Sequence, residues 1–329
     1  MKNALILTGP TATGKTSFGV KLARKLGAEI VSADSRQVYK GLDIGSGKDI
    51  AEYTMPDGVT IPTHLLDIVD PAKVTYSLAD FMLDAEKAMT DIEQRNSIPL
   101  VVGGTALWIH SLLSRYDLKG GAPDPQLREQ LRSLSLPQLR ETLRTLAGGD
   151  HDILRHEPNN RTRLIRQIEM IKHGTGMTDK EIQLNETENA RQYLLMGVIR
   201  SRSEVRRNIE IRLDERLEQG MLKEAVYLHD EMGVSWETLE FFGLEYRYMA
   251  LHLQGKISFD EMRDTLLNKI RQFAKRQDSW FRKMEREGYT IYWFRPDQVD
   301  DAENLCRRFL AGEELEEPAL KLADIDWGK

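Results

Sequence analysis

The sequence predicts an α/β fold in which helices flank a parallel sheet and a helical domain is inserted. Two observations lead to this prediction. Short apolar segments alternate with helical patterns over the first hundred or so residues and again near the C-terminus, a rhythm typical of parallel sheets covered on both faces. Residues 119–189 contain helical patterns only. We therefore expect a discontinuous core of residues 1–118 and 190–329, with residues 119–189 as the insertion.

Hydrophobic periodicity predicts the individual elements of the core. One helix is predicted at residues 15–26, after the first strand and the loop that follows it. A second is predicted at residues 78–96, where apolar residues recur every three or four positions. The predicted strands, in chain order, are "ALILT", "AEIVSAD", "HLLDIV", "IPLVVGG", "QYLLMGVI" and "GYTIYWF".

The bulk composition is that of a soluble globular protein, with 40% hydrophobic and 30% charged residues in 329. A single cysteine, Cys306, excludes an internal disulfide and a multi-cysteine zinc site and is compatible with a reducing cytosol. The N-terminus lacks a signal-peptide pattern, and no apolar run approaches the roughly 18 residues of a membrane helix. We expect a cytoplasmic protein without membrane contact.

The net charge of −6 argues mildly against a nucleic-acid partner, but basic residues are concentrated locally. Residues 263–286 contain eight basic residues against three acidic ones. Such a segment is consistent with contacts to a phosphate backbone and equally with a solvated helix face.

The segment "GPTATGKT", residues 9–16, has the spacing G-x-x-x-x-G-K-T between a predicted strand and a predicted helix. Gly9 and Gly14 allow the backbone to turn and to point N–H groups inward. Lys15 is placed to reach phosphates, and the Thr16 hydroxyl suits a magnesium ion. This P-loop predicts a P-loop NTPase-like sheet that binds a di- or triphosphate, but it does not indicate the reaction.

Two polar residues follow the second and the fourth predicted strand, at the edge where ligands bind in open α/β sheets. Asp34 is a candidate general base beside the phosphates, or alternatively a magnesium ligand through water or a helix cap. Thr105 either holds a substrate through its hydroxyl or caps the helix that begins at "ALWIHSLL".

Four further stretches extend the pattern of the loop: "VSADSRQVYKGLDIGSGK", "IPLVVGGTALWIHSLL", "NNRTRLIRQIEMIKHGTG" and "IRQFAKRQDSWFRK". In this order they resemble the tRNA dimethylallyltransferases, also called isopentenyl-tRNA transferases, from about residue 4 to residue 295. The resemblance implies that the loop binds dimethylallyl diphosphate instead of ATP, and that the five-carbon group is transferred to N6 of adenosine 37 in tRNAs that read codons beginning with U. The implied diphosphate-binding residues are Gly9, Pro10, Thr11, Ala12, Thr13, Gly14, Lys15 and Thr16.

The resemblance also implies catalytic roles and a cofactor. Thr11 is similar to the threonine that hydrogen-bonds the diphosphate near the breaking C–O bond. Asp34 resembles the base that accepts a proton from the adenine N6, and Arg212 resembles the arginine that pairs with the leaving diphosphate. Mg²⁺, with Thr16 as a ligand, is the implied cofactor, and cations at these positions would stabilise the growing charge of the leaving group.

The resemblance implies tRNA as the partner of a protein that we expect to be monomeric. Arg163 and Arg166 stand three apart and form one basic helical face; such faces contact phosphates, whereas specificity requires base contacts or base flipping. Trp280 and Phe281 either stack on bases or pack the underside of their helix. The implied tRNA contacts are Asp34, Ser35, Arg36, Gln37, Thr105, Arg128, Thr162, Arg163, Arg166, Tyr246, Arg247, Arg271, Gln272, Lys275, Arg276 and Gln277.

Several positions depart from the usual family pattern: Glu245 and Tyr248 flank the implied contacts Tyr246 and Arg247, and Ala106 and Trp108 follow Thr105. They leave the implied transfer residues intact. The alternatives are an adenylate isopentenyltransferase of the cytokinin type, a small-molecule kinase that uses ATP in the loop, and a non-catalytic RNA-binding module. The cytokinin enzymes tend to lack the insertion and the basic helix, a kinase does not need that helix, and a non-catalytic module does not need Thr11, Asp34 and Arg212 together.

Overall fold

The computed structural model describes residues 3–73, 75–114, 124–149, 151–156, 158–173 and 191–322. The chain divides into two compact units. The larger unit consists of Met1–Leu113 and Glu186–Lys329, and the smaller, helical unit is Ser114–Asn185. None of the helices in the described ranges is long and apolar enough to cross a membrane.

Within the described part of the larger unit, six strands form one sheet in the order β3-β2-β4-β1-β5-β6. All neighbouring strands are parallel, which confirms the predicted parallel sheet. The strands are β1 (Asn3–Thr8), β2 (Ala28–Ser32), β3 (Thr63–His64), β4 (Ile98–Val102), β5 (Gln192–Val198) and β6 (Tyr292–Phe294).

Helices follow the strands and continue beyond them. Those of the larger unit are α1 (Lys15–Leu26), α2 (Leu78–Gln94), α3 (Ala106–Leu113), α8 (Arg202–Gln219), α9 (Met221–Asp230), α10 (Trp236–Phe241), α11 (Leu244–Leu253), α12 (Phe259–Arg286) and α13 (Val299–Leu310). The helical unit contains α4 (Pro125–Arg132), α5 (Leu136–Leu146), α6 (Asp152–His156) and α7 (Arg161–Lys172). The 28-residue α12 begins with a capping box, in which Ser258 and Glu261 satisfy each other's backbone N–H groups.

Both faces of the sheet are covered, as predicted. Successive side chains of a strand point to opposite faces. Ile6 of β1 therefore belongs to a core that contains Phe81 of α2. Its neighbour Leu7 belongs to a second core on the other face, with Phe18 of α1.

The third strand differs from the prediction. A strand was expected over residues 64–69, but β3 ends at His64 because Leu65 and Asp67 adopt left-handed backbone conformations, with φ of 63° and 54°. The bend brings the Asp67 carboxylate to the ammonium group of Lys48, which is fully buried and also donates to Asp43 at 2.6 Å. A buried lysine needs such partners, so a tertiary ion pair outweighs the strand propensity of this segment.

The last strand is shorter than predicted. The segment "GYTIYWF" begins at residue 288, but β6 comprises only Tyr292–Phe294. The N–H group of Tyr289 instead donates to the Met284 carbonyl at the end of α12. The first residues of the segment therefore complete the helix terminus.

Candidate active site

The phosphate loop between β1 and α1 depends on two glycines. Gly9 has a φ of 141°, and a Cβ atom there would collide with the carbonyl oxygen of Val198 in β5. Gly14 has a φ of 91° and lies at the N-terminus of α1. Both positions therefore require a residue without a side chain. The loop places the N-terminus of α1 at the crevice formed by the carboxyl ends of the strands.

One cavity of about 300 Å³ at this edge of the sheet brings together most of the residues predicted for the site. It contains residues from the phosphate loop, from the segments after β2 and β4, and from α8, α11 and α12. The predicted residues that line it are Thr11, Ala12, Gly14, Lys15, Thr16, Asp34, Ser35, Arg36, Gln37, Thr105, Arg212, Tyr246 and Gln277.

Asp34 and Thr105 shape the segment after β2. The Asp34 carboxylate accepts a hydrogen bond from the Arg36 N–H at 3.0 Å, and the Thr105 hydroxyl accepts one from the Ser35 N–H at 3.1 Å. Asp34 lines the same cavity as the phosphate loop. Thr105 therefore joins the turn after β4 to the segment that carries Asp34.

The Lys15 side chain folds back onto the phosphate loop, where its ammonium group donates to the Pro10 carbonyl at 2.7 Å. Burial lowers the pKa of Lys15 to about 8, against the opposing effect of Asp34 and with a further lowering by Arg212. Lys15 lines the same cavity as both of these residues, and a bound anion would stabilise its charged form.

Arg212 is held by an acidic residue that sequence analysis missed. Its guanidinium donates to the Asp49 carboxylate at 2.8 Å, and Arg216 donates to the same oxygen at 3.4 Å. Arg212 and Arg216 are four residues apart on α8, a spacing that places side chains on one helix face. This spacing was a signal for Arg216, whereas nothing in the sequence pointed to Asp49.

Gln277 connects α12 to the phosphate loop. Its side-chain carbonyl accepts a hydrogen bond from the Thr11 N–H at 2.8 Å, and its amide donates to the Gly104 carbonyl at 2.9 Å. The side chain is only 5% exposed. The residue therefore braces the loop against the turn after β4.

Two further residues with an implied tRNA contact are buried in this structure. Gln37 accepts from the Ser32 hydroxyl at 3.1 Å and donates to the Gly47 carbonyl at 3.2 Å. Tyr246 is 1% exposed, and its hydroxyl donates to Glu224 at 2.7 Å. Both side chains make internal hydrogen bonds and offer little surface to a macromolecule in this conformation.

Glu224 of α9 is a second residue that sequence analysis missed. Besides the Tyr246 hydroxyl, its carboxylate accepts hydrogen bonds from three consecutive N–H groups, those of Asp43, Ile44 and Gly45, at 3.0, 2.6 and 3.0 Å. A carboxylate with several backbone donors is held firmly. Glu224 thus positions the loop whose next residues, Ser46 and Gly47, line the cavity.

The outer face of α12 carries the expected basic residues. Lys275 and Arg276 are exposed, Arg271 pairs with Glu210 at 2.7 Å, and Gln272 is exposed. Arg247 of α11 donates to the Glu240 carbonyl at the surface. The underside carries Phe281, which is fully buried, and Trp280 packs against the same core, as the packing alternative for this pair predicted.

The helical unit contains the remaining predicted residues. Thr162 and Arg163 are exposed on α7. Arg128 and Arg166 both donate to Glu169, at 2.8 and 2.6 Å. Burial favours the neutral form of Glu169, but the hydrogen bonds from Arg128, the Asp124 N–H and Arg166 outweigh it and lower its pKa to about 2. Within this unit the two arginines therefore compensate a buried carboxylate.

Comparison with known proteins places this chain in a family. The IPP transferase family model matches residues 37–284, and an isopentenyl transferase model matches residues 2–55. A tRNA dimethylallyltransferase 1 of Syntrophus aciditrophicus is 42% identical over 91% of this chain and 96% of its own length. One of Geotalea uraniireducens is 42% identical over 93% and 97%.

The solved structures agree. A full-length tRNA isopentenylpyrophosphate transferase from Bacillus halodurans is 31% identical, with a TM-score of 0.65 over 95% of this chain and 96% of its own. A eukaryotic dimethylallyltransferase acting on tRNA is 24% identical, with a TM-score of 0.76 over 98% of this chain and 83% of its own, and supports the fold alone. The fold and the phosphate loop define a P-loop α/β protein. The chain belongs to the IPP transferase family.

Proposed function

We propose that the protein transfers a dimethylallyl group from dimethylallyl diphosphate to N6 of adenosine 37 in tRNAs that read codons beginning with U, yielding N6-isopentenyladenosine and diphosphate. The observation that carries the proposal is the single cavity in which a phosphate loop, the Asp34 carboxylate and Arg212 meet. The relatives named as tRNA dimethylallyltransferases support the same activity.

In the proposed reaction, the C–O bond between the dimethylallyl group and the diphosphate breaks as the bond from N6 to the same carbon forms. Asp34 accepts the proton that N6 loses, because an exocyclic amine is a poor nucleophile without a base. The backbone of the loop at Thr11, with Lys15 and Arg212, binds the diphosphate as its negative charge grows. The leaving group departs as the diphosphate ion.

Magnesium fits the residues of this site through oxygen donors. Thr16 lines the cavity and supplies a hydroxyl, and Mg²⁺ prefers oxygen ligands, including those of phosphates and water. Among the described residues no cluster of three or more histidine, cysteine or acidic side chains is arranged to hold a metal. This donor set suits an ion that enters with the diphosphate and neutralises part of its charge.

For tRNA binding we propose two sets of contacts. In the larger unit, Lys275 and Arg276 of α12 contact backbone phosphates. Gln37, Tyr246 and Gln277 contribute indirectly, because their internal hydrogen bonds hold the walls of the cavity in place. In the helical unit, which we propose as the inserted RNA-binding domain, Thr162 and Arg163 are exposed for the same purpose. We propose further that the protein acts as a monomer in the cytoplasm.

The role of Asp34 provides the decisive experiment. Asp34→Asn keeps the shape of the side chain but cannot accept the proton, so single-turnover transfer to an anticodon stem-loop should fall by about 10²- to 10⁴-fold. Diphosphate affinity should change much less. The reaction is followed by nucleoside mass spectrometry over a series of magnesium concentrations. Asp57→Asn is the matched control, because Asp57 is an exposed carboxylate that does not line the cavity.

Two results would contradict the proposal. If raised magnesium restored the rate of Asp34→Asn, the carboxylate would be a metal ligand and not the base. If the wild-type protein formed no isopentenyladenosine on the stem-loop, the proposed activity itself would be wrong.

A further inference from the structure

Two of the arginines that line the cavity, Arg212 and Arg216, share one acidic partner. Both Arg212 and Arg216 donate through a terminal nitrogen to the same Asp49 oxygen, and both line the cavity that contains the phosphate loop. Their side chains are 36% and 16% exposed, and that of Asp49 is 31% exposed. The three charges thus form a partly buried group next to the position that we assign to the diphosphate.

The backbone around Asp49 is shaped to present this carboxylate. Asp49 has a φ of 41°, a left-handed conformation that aspartate and asparagine tolerate better than most residues. It begins a short 3-10 helix, Ile50–Tyr53, in which its carbonyl accepts from the Glu52 N–H at 2.8 Å. Two residues earlier, the absence of a side chain at Gly47 makes room for the Arg216 guanidinium. A Cβ atom at that position would collide with it.

The single charge of Asp49 compensates only part of the charge of the two arginines and uses little of their hydrogen-bonding capacity. A guanidinium has five donors in a planar fork and binds carboxylates and phosphates best through two parallel bonds. Here each arginine makes one bond to one shared oxygen. A diphosphate, with several anionic oxygens and a larger charge, satisfies both forks more fully than Asp49 does.

We propose that Arg212 and Arg216 form a two-arginine clamp for the diphosphate and that Asp49 is its resting counter-ion. The diphosphate displaces Asp49 from the arginines when it binds, and Asp49 forms its ion pairs with them again when the product diphosphate leaves. Arg216 is then a second diphosphate-binding residue, and Asp49 sets how readily the product departs. This inference rests on the proposed function, since it assumes a diphosphate at the phosphate loop.

The test measures inorganic pyrophosphate binding by calorimetry, with magnesium and without RNA. Asp49→Asn removes the competing charge and keeps a residue suited to the left-handed backbone. Pyrophosphate should therefore bind this variant about tenfold more tightly, and it should inhibit transfer at about tenfold lower concentration. Arg216→Gln should weaken pyrophosphate binding by about tenfold, and Arg216→Lys, which keeps the charge but loses the fork, should weaken it less.

Asp57→Asn is the matched control, because Asp57 pairs with Arg24 at 3.2 Å on the exposed surface and lies outside the residues that line the cavity. It should bind pyrophosphate as the wild type does. Pyrophosphate affinity that is unchanged or weaker in folded Asp49→Asn would overturn the counter-ion role, and unchanged affinity in both Arg216 variants would overturn the clamp. If the wild type bound no pyrophosphate, the proposed function would fall together with this inference, whereas the preceding results would overturn the inference alone.

Discussion

Replacing Gln277 by alanine should destabilise the conformation of the phosphate loop in the protein without RNA. The side chain is 5% exposed and makes one hydrogen bond to the Thr11 N–H and one to the Gly104 carbonyl. Alanine would leave both backbone groups without these partners, at the edge of the cavity. The loop would then lose the contact that holds it against the turn after β4.

The size of the effect follows from these two bonds. Leaving a buried polar group unpaired costs roughly 1–3 kcal/mol, and the Gly104 carbonyl is the more buried of the two. We expect a loss of about 3 kcal/mol in the free energy of unfolding, which corresponds to a Tm lower by roughly 4 to 6 °C for a protein of this size. Pyrophosphate affinity should fall as well, because the Thr11 N–H is no longer fixed in orientation.

The assay is thermal unfolding and pyrophosphate calorimetry of the protein alone. Gln272→Ala is the matched control, since it removes the same side chain from an exposed position of the same helix, and it should change neither quantity. If Gln277→Ala kept the wild-type Tm and pyrophosphate affinity and lost only affinity for tRNA, Gln277 would be a direct RNA contact and the reasoning from its hydrogen bonds would be refuted.

Two further predictions concern the charges of the site and of α12. Because the pKa of Lys15 is lowered to about 8, the ammonium group loses its charge as the pH rises through that value, so pyrophosphate affinity should decline between about pH 7 and about pH 9. Calorimetry should find this decline in the wild type and not in Lys15→Arg; an equal decline in both would assign it to another group. The double variant Lys275→Ala, Arg276→Ala should bind tRNA more weakly with a shallower salt dependence, by up to about two phosphate contacts, at unchanged pyrophosphate affinity. A salt titration that overlays that of the wild type would identify this face as ordinary solvated surface.

Local sequence patterns were sufficient for the phosphate loop and for much of the sheet. The spacing of Gly9, Gly14 and Lys15 requires a strand before it and a helix after it, and both are present. Asp34 and Thr105 were placed in one crevice by a general property of parallel sheets, and the structure brings them to the same cavity. These inferences succeeded because each depends on residues near in sequence or on a rule that holds for the whole fold class.

The tertiary structure decided which distant residues support the site. Gln277 reaches Thr11 across 266 positions, and Arg212 reaches Asp49 across 163. The sequence predicted a longer third strand, but β3 ends early because the buried charge of Lys48 is paired with Asp67. A sequence pattern records the propensity of a segment and the spacing of its side chains, but a buried charge or an unpaired backbone group acquires its partner only when the chain is folded. For that reason the catalytic candidates could be proposed from the sequence, and the residues that hold them in place could not.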